Sequence, residues 1–293
     1  MEREQIRISV RNLVEFILRS GDIDNRRASL DTMEAMQAGS RLHRKIQKKM
    51  GSTYHAEVPL NIIIEEENYE LGIWGRADGI IIEETVTIDE IKGVYLSLDL
   101  LEEPVKVHLA QAKCYAYIYG IQNDLQKINV QMTYGNLDTG DLKYFSYEYS
   151  MQQLQEWFSD LILKYKKWAD FQYEWRKKRQ ASIKELAFPF PYREGQKELA
   201  AGVYRTIARK KNLFIQAPTG VGKTISTLYP AIKAVGEGLG DKIFYLTAKT
   251  VTANVAKETL GILCEKGYRA KSVQITAKEK LCPCEEVDCN PVS

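Results

Sequence analysis

The chain has 293 residues, 44% hydrophobic and 27% charged, a balance that is typical of a soluble globular protein and excludes a disordered one. Its formal net charge is +2, so any binding to nucleic acid depends on local basic patches and not on a global field. No apolar run approaches the roughly 20 residues of a bilayer span, and the charged amino terminus is unlike a signal peptide, so we expect no membrane partner. Because Cys114 and Cys264 are isolated, a disulfide framework is not expected, and a reducing cytoplasm fits better.

The first part of the chain, residues 1–180, alternates between helical and strand patterns. An amphipathic helix is predicted at its start. Runs rich in Ile, Val and Thr, separated by turn residues, then indicate a β-rich middle, and a stretch rich in aromatic and basic residues indicates a long helix. The predicted strands are Val58–Glu67, Glu70–Glu83 and Thr85–Lys92, and the predicted long helix is Gln152–Arg179.

Two of these strands carry acidic residues. Asp78 lies at the end of a hydrophobic strand in GRADG, and Glu90 and Lys92 lie two apart in TIDEIK, so they share one strand face. Carboxylates on neighbouring strands make a hard-oxygen site for Mg²⁺ or Mn²⁺. Such an ion lowers the pKa of a bound water, and a lysine beside it orients the water or steadies the developing negative charge. Together these residues predict a site that cleaves phosphodiesters.

Two predicted helices carry further candidates. Gly39 and His43 lie four apart on one helix, and Gln111 and Tyr115 lie four apart on another, so each pair shares a helix face. A lone helical histidine is usually only packed, and a lone Glu-Ile-Lys is usually a solvated strand edge. All four features occurring in order favour a functional site.

The order of these features over most of positions 35–120 resembles the RecB-like branch of the PD-(D/E)xK nucleases. The resemblance implies a restriction-endonuclease-like α/β/α core, with Mg²⁺ or Mn²⁺ as cofactor and single-stranded or end-bearing DNA as substrate. Ala77 stands where this branch often has proline, a departure that removes no chemical group. Glu57 is a possible further member of the site that we do not include. The implied metal ligands are His43, Asp78, Glu90 and the Ile91 carbonyl, and the implied catalytic residues are Asp78, Glu90, Lys92, Gln111 and Tyr115.

Basic and aromatic residues interleave along the predicted long helix. A helix that faces DNA could stack bases on its rings and neutralise phosphates with its charges. The commoner explanation, which we favour, is an amphipathic helix that packs its aromatic residues on the domain core and leaves its charges in water. The residues are Lys164, Lys166, Lys167, Arg176, Lys177, Lys178, Arg179, Tyr165, Trp168, Phe171, Tyr173 and Trp175.

The second part, residues 181–293, has a βαβαβ pattern that predicts a parallel sheet. A loop, FPFPYREGQ, precedes its first helix. The predicted elements are strand Leu213–Ala217, helix Lys223–Val235, strand Lys242–Ala248, helix Val251–Lys266 and strand Ala270–Thr276.

The segment APTGVGKT, residues 217–224, follows a predicted strand and opens a predicted helix. It fits the P-loop pattern except that Ala217 replaces the first glycine. Gly220 and Gly222 allow the backbone N–H groups to wrap a phosphate, and the helix N-terminus adds a positive dipole end. Lys223 would reach the β- and γ-phosphates of ATP, and the Thr224 hydroxyl would ligate Mg²⁺. The segment therefore predicts a nucleotide site.

The surroundings of this loop resemble the opening of a superfamily 2 DNA helicase of the DinG/XPD type, carried by FPFPYREGQ and YLTAKT. The resemblance implies a partial RecA-like sheet and an ATP site in which Arg193 and Gln196 lie on the adenine side. It also implies that Lys249 and Thr250 lie on the DNA side. A solvated surface lysine is an equally good explanation of Lys249.

Three cysteines, Cys282, Cys284 and Cys289, crowd the end of the sequence. The resemblance implies that Cys282 and Cys289 are the first ligands of a four-cysteine 4Fe–4S cluster, with Cys284 a variant ligand or a spare thiol. A zinc site completed from outside the chain is the alternative. We expect the sequence to end inside this insertion, before the acidic motif, the second motor domain and the arginine finger, so the cluster would belong to a longer protein.

These features predict the N-terminal portion of a nuclease–helicase that acts on DNA in the bacterial cytoplasm, in repair. Two alternatives stay open. One is a nuclease that merely retains a P-loop, and the other is a non-cutting DNA-binding or regulatory module with a nucleotide site. We expect residues 1–293 to bind ATP weakly without DNA-stimulated hydrolysis or unwinding, because the residues that activate hydrolysis are not recognisable after Thr224.

Overall fold

A computed structural model describes residues 3–20, 32–218, 220–248 and 250–283. They form two compact units: unit 1 extends to Asp170, and unit 2 begins at Phe171. This division lies within the long helix Met151–Glu185. The boundary predicted between residues 180 and 181 lies further along the same helix. No helix in the described ranges is both long enough and apolar enough to cross a bilayer.

Unit 1 is built on a six-stranded mixed sheet. The strands are β1 (Glu4–Ser9), β2 (Tyr54–Glu65), β3 (Tyr69–Ile81), β4 (Thr87–Val94), β5 (Lys127–Asn136) and β6 (Leu142–Ser150). The strand order is β1-β3-β4-β5-β6, and β2 pairs with β3. The β1–β3 and β4–β5 pairs are parallel, whereas the other pairs are antiparallel.

Helices cover both faces of this sheet. Ile91 of β4 packs against Leu42 and Ile46 of helix α2 (Thr32–Gln47). Lys92, the next residue, hydrogen-bonds Gln111 of helix α3 (Lys106–Gln122). Because consecutive strand residues point to opposite faces, α2 and α3 lie on opposite sides, which gives unit 1 an α/β/α layering. Its helices are α1 (Val10–Leu18), α2 (Thr32–Gln47), α3 (Lys106–Gln122) and the first part of α4 (Met151–Glu185), with a 3₁₀ turn at Leu98–Leu100.

The start of the chain differs from the prediction, because a strand precedes the helix. Ile6 and Ile8 alternate with polar residues, and β1 pairs in parallel with β3, which outweighs the helical pattern. Ser9 then caps α1, its Oγ accepting a hydrogen bond from the Asn12 backbone N–H at 3.2 Å. The β-rich middle is confirmed, with strand ends shifted by a few residues. Strands β5 and β6 were not predicted.

Unit 2 consists of helices around a small apolar core. The core includes Ile183 of α4, Ile232 of α6 (Lys223–Gly236) and Leu263 of α7 (Thr250–Glu265). The two predicted helices of this part are confirmed as α6 and α7. The unit 2 helices are the end of α4, then α5 (Gln196–Ala208), α6 (Lys223–Gly236), α7 (Thr250–Glu265) and α8 (Lys278–Leu281).

The three predicted strands of this part are wrong for this structure. Described residues of Leu213–Ala217, Lys242–Ala248 and Ala270–Thr276 lie outside regular secondary structure and pair with no strand. A strand needs a paired neighbour for its backbone groups, and the described residues of these segments pair with no strand. Phe214 and Ile275 are accordingly 95% and 90% exposed. The partial RecA-like sheet is therefore not formed among the described residues.

Candidate functional site

The candidate site of unit 1 lies where β3 and β4 diverge. The two strands pair only from Gly79 to Ile81 against Thr87 to Asp89, and beyond this short ladder they separate. Asp78 bridges the opening: its Oδ2 accepts a hydrogen bond from the Ile91 backbone N–H at 2.8 Å. The divergence therefore leaves room for polar side chains between two strands that hold them rigidly.

His43 reaches this opening from α2. Its Nδ1 lies 3.5 Å from Asp78 Oδ1, and packing of Leu42 and Ile46 on Ile91 fixes the helix that carries it. Burial lowers the pKa of His43, but hydrogen bonding and charge attraction from Asp78 outweigh burial, so the net pKa is raised. His43 and Asp78 are thus brought together as predicted, with an imidazole nitrogen facing a carboxylate.

Glu90 is a fully buried carboxylate in the same opening. Its Oε1 accepts a hydrogen bond from Lys92 Nζ at 2.7 Å, whereas its Oε2 is buried and has no hydrogen-bond partner among the described residues. Burial raises the pKa of Glu90 to about 8, although the Lys92 charge opposes the shift. A buried carboxylate oxygen without a partner is costly. A cation bound at Oε2 would supply the missing interaction.

Lys92, Gln111 and Tyr115 form a chain of polar contacts beside Glu90. Lys92 Nζ donates to Gln111 Oε1 at 3.4 Å, and Gln111 Nε2 donates to the Tyr115 hydroxyl at 3.4 Å. Tyr115 packs tightly on β3, since a Cβ added at Gly75 would lie 2.6 Å from its hydroxyl oxygen. The structure therefore places these three predicted residues in one connected group.

Glu57 joins the group although the sequence prediction did not include it. Ligand atoms of His43, Glu57 and Asp78 all lie within 4.8 Å of one another, in a set able to hold a metal ion. Gln47 Nε2 donates to Glu57 Oε1 at 3.2 Å and to the Asp78 carbonyl at 3.0 Å. The antiparallel register of β2 and β3 brings Glu57 here, and a hairpin alignment of the two strands could have located it.

Asp89 is a second acidic residue that the prediction missed. It is fully buried and adjoins Glu90 on β4, so it points to the opposite face. Its carboxylate accepts hydrogen bonds from Tyr54 at 3.0 Å, from Gln131 at 3.2 Å and from Thr133. Burial raises the pKa of Asp89, and these hydrogen bonds oppose the shift. Asp89 ties β4 to β2 and β5 beside the candidate metal ligands.

The long helix α4 buries some of its aromatic residues and leaves others partly exposed. Within unit 1, Tyr165 is buried, whereas Trp168 is partly exposed and meets Phe16 edge-on at 5.2 Å. Lys166 pairs with Glu66 and Asp170. Packing of Tyr165 agrees with the favoured reading of an amphipathic helix.

The predicted phosphate loop of unit 2 places two of its glycines at positive φ. Gly220 has φ +85° and Gly222 has φ +74°, in the left-handed region that favours glycine, and α6 begins at Lys223. Lys223 Nζ donates to the Ala217 carbonyl at 2.9 Å and to the Pro218 carbonyl at 2.8 Å. The Thr224 hydroxyl lies 3.5 Å from that of Tyr245. The lysine thus lies across the loop.

Arg193 and Gln196 both contact this loop. The Arg193 guanidinium donates to the Gly220 carbonyl, and Gln196 Nε2 donates to the Val221 carbonyl at 2.8 Å. Gln196 also packs so closely that a Cβ added at Gly222 would lie 2.4 Å from its Nε2. These two residues, predicted for the adenine side, therefore brace the loop. Their contact with adenine stays a prediction.

The remaining predicted residues are only partly covered. Lys249, Cys284 and Cys289 lie outside the described residues. Thr250 is the first residue of α7, and its side chain is not described. Cys282 follows α8 as a half-exposed free thiol.

Comparisons with known proteins identify one helicase-related stretch. No family model matches the chain. Over 51 residues it is 51% identical to a protein of Methanocaldococcus jannaschii named "Probable ATP-dependent helicase MJ0942", a match that spans 17% of this chain and 8% of that protein. The match supports a helicase-related region. A solved structure, "Crystal structure of SSO0001", is 20% identical to the chain with a TM-score of 0.36, covering 56% of this chain and 78% of that one.

Proposed function

We propose that unit 1 is a metal-dependent deoxyribonuclease domain of the PD-(D/E)xK type. The observation that carries the proposal is the buried Glu90 Oε2, which has no hydrogen-bond partner in the described part of the chain and lies beside Asp78, His43 and Lys92. His43, Asp78 and Glu90 offer nitrogen and carboxylate ligands of the kind that Mg²⁺ and Mn²⁺ accept. When bound, such an ion supplies Lewis acidity and a water of lowered pKa.

The residues around the ligands prepare the site for a phosphodiester. Lys92 Nζ uses two hydrogen bonds on Glu90 and Gln111, which leaves a third N–H for a phosphate oxygen. Gln111 and Tyr115 hold Lys92 in place through their own contact. Ile91 N–H fixes the Asp78 carboxylate, so Asp78 presents its other oxygen toward His43. This preorganisation stabilises negative charge as it develops on the attacked phosphate.

Cleavage of labelled single-stranded and end-bearing DNA by the full chain tests this proposal. With Mn²⁺ or Mg²⁺ the chain should cut, and EDTA should stop it. Asp78→Ala and Glu90→Ala should abolish cutting, and Lys92→Ala should slow it by about a hundredfold or more. Lys223→Ala, a change in unit 2, is the control and should cut like the parent. A parent that binds DNA and Mn²⁺ without cutting would favour the non-cutting DNA-binding module.

We infer that unit 2 carries the phosphate loop of an ATP-dependent DNA helicase. Support comes from the helicase-related match, from the left-handed glycines of the loop and from Lys223 at the start of α6. A protein that carries both activities would couple DNA unwinding to cutting during cytoplasmic DNA repair. An iron–sulfur cluster held by Cys282 and the cysteines after it stays a prediction.

Binding of a fluorescent ATP analogue with Mg²⁺ tests the nucleotide site. Lys223→Ala should weaken binding by about tenfold or more, since a charge-assisted phosphate contact is lost. Asp78→Ala should bind like the parent because it lies in unit 1. Equal binding by the parent and Lys223→Ala would overturn the assignment of this loop.

A further inference from the structure

Glu57 occupies an unusual backbone position beside the candidate metal ligands. It lies in β2 opposite Asp78, between the paired positions Ala56↔Gly79 and Val58↔Ala77. Its φ is +57°, a left-handed conformation that is uncommon for residues other than glycine. Such conformations persist where the surroundings enforce them, and they cluster at functional sites. The backbone at Glu57 is therefore held in a shape that its sequence alone does not favour.

The ligand atoms of this group are close enough for one cation. His43, Glu57 and Asp78 offer atoms within 4.8 Å of one another. Two ligands at about 2.1 Å from a single ion lie about 3.0 Å apart at right angles and about 4.2 Å apart on opposite sides. Side-chain rotations that move the ligand atoms by about an ångström or more therefore close the set.

A second, independent feature points to a cation at the same place. Glu90 is fully buried, its Oε2 has no partner among the described residues, and it is coupled electrostatically to Asp78 and His43. Glu57 and Asp78 thus lie in one group with His43, and the Glu90 carboxylate interacts with Asp78 and His43 beside it. Lys92 pairs directly with Glu90.

Arg76 is the present counter-ion of Glu57. Its Nε lies 2.7 Å from Glu57 Oε2, and its side chain is 66% exposed. An exposed ion pair of this kind contributes little, because water and salt screen it. A divalent cation at His43 and Asp78 can therefore displace Arg76 from Glu57 at little cost.

We propose that Glu57 is a further ligand of the divalent cation that His43 and Asp78 bind, and that Arg76 is the counter-ion exchanged for it. The inference rests on the proposed function for the presence of a cation, but not for cleavage. Arg76, once released, lies at the rim of the site with its guanidinium free for a DNA phosphate.

Calorimetric titration of the full chain with Mn²⁺ tests the exchange. Glu57→Gln should weaken Mn²⁺ binding by about tenfold or more, and Glu57→Asp, which keeps the carboxylate, should lose less. Arg76→Gln should strengthen binding several-fold in the parent, yet have no effect in the Glu57→Gln background, because the two residues act on each other. Glu65→Gln, on the same strand with an exposed partner in Arg3, is the matched control and should bind like the parent.

Water-proton relaxation of the Mn²⁺-loaded chain separates a ligand from a merely nearby charge. If Glu57 is a ligand, Glu57→Gln should gain one Mn²⁺-bound water in its place. An unchanged water count, or unchanged affinity in the folded variant, would overturn the Glu57 assignment. If Arg76→Gln strengthens Mn²⁺ binding equally in the parent and in the Glu57→Gln variant, the exchange is overturned. A parent that binds no Mn²⁺ would refute the proposed metal site itself, whereas a parent that binds Mn²⁺ without cutting DNA would refute only the nuclease.

Discussion

In unit 1, Ile73 and Ile88 lie on paired strands and are fully buried, whereas in unit 2 Phe214 and Ile275 lie on unpaired segments and are at least nine-tenths exposed. All four are apolar residues on runs that the sequence marks as strands. A helix satisfies its backbone within itself, but a strand does so only through a neighbour. The helices of unit 2 therefore form from local signals. Its predicted strands lack, among the described residues, the pairing that β1 to β6 supply to one another.

Truncating one isoleucine in each unit gives the largest contrast. Ile73→Ala should lower the free energy of unfolding of unit 1 by about 2–5 kcal/mol, because it leaves a cavity in a closed core. Ile275→Ala should change stability by less than about 0.5 kcal/mol, because its side chain is already in solvent. Hydrogen exchange of peptides from each unit measures both effects. A large loss from Ile275→Ala would show that its segment is packed in solution.

Adding a methyl group to a glycine should have opposite signs in the two units. A Cβ at Gly79 would lie 1.9 Å from the Tyr54 hydroxyl oxygen, whereas a Cβ at Gly261 of α7 would meet nothing within 4 Å. Gly79→Ala should therefore cost about 1–3 kcal/mol by displacing Tyr54 from Asp89. Gly261→Ala should stabilise unit 2 by about 0.5–1 kcal/mol, because alanine favours a helix interior. Denaturant unfolding followed by hydrogen exchange measures the change in the free energy of unfolding of each unit. Changes of the same sign in both units would contradict the packing described at Gly79 or at Gly261.

The stability of unit 1 should also depend on pH through His108. Burial, reinforced by the Lys92 and Arg11 charges and opposed by Glu15, lowers the pKa of His108 to about 4. Its Nδ1 lies 3.1 Å from the Tyr134 hydroxyl. The unfolded chain, with a pKa near 6.5, binds this proton first as pH falls.

His108 therefore stabilises the fold fully above about pH 6.5, and this contribution is lost as pH falls toward 4, by up to about 2 kcal/mol at pH 5. His108→Gln should remove that part of the pH dependence and no other. Proton NMR of the imidazole in the folded chain should show no titration between pH 7 and 5. A midpoint near 6.5 would contradict the buried, neutral state.

Much of unit 1 could be predicted from local patterns, and the exceptions depend on long-range pairing. Alternating apolar residues located β2 to β4, and the spacing of Glu90 and Lys92 placed both on one face. Glu57 was named but left out of the predicted site, because its closeness to Asp78 follows from the register of two strands, which no single motif encodes. The same patterns predicted strands in unit 2 that find no partner there.

Anomalous diffraction from crystals of the full chain soaked in Mn²⁺ tests the central claim, a cation site in unit 1, most directly. We expect a peak about 2.0–2.2 Å from an Asp78 oxygen and a His43 nitrogen. Glu57 should have turned from Arg76 toward that peak. A peak absent from this group, in crystals where Mn²⁺ occupies other acidic positions, would contradict the account.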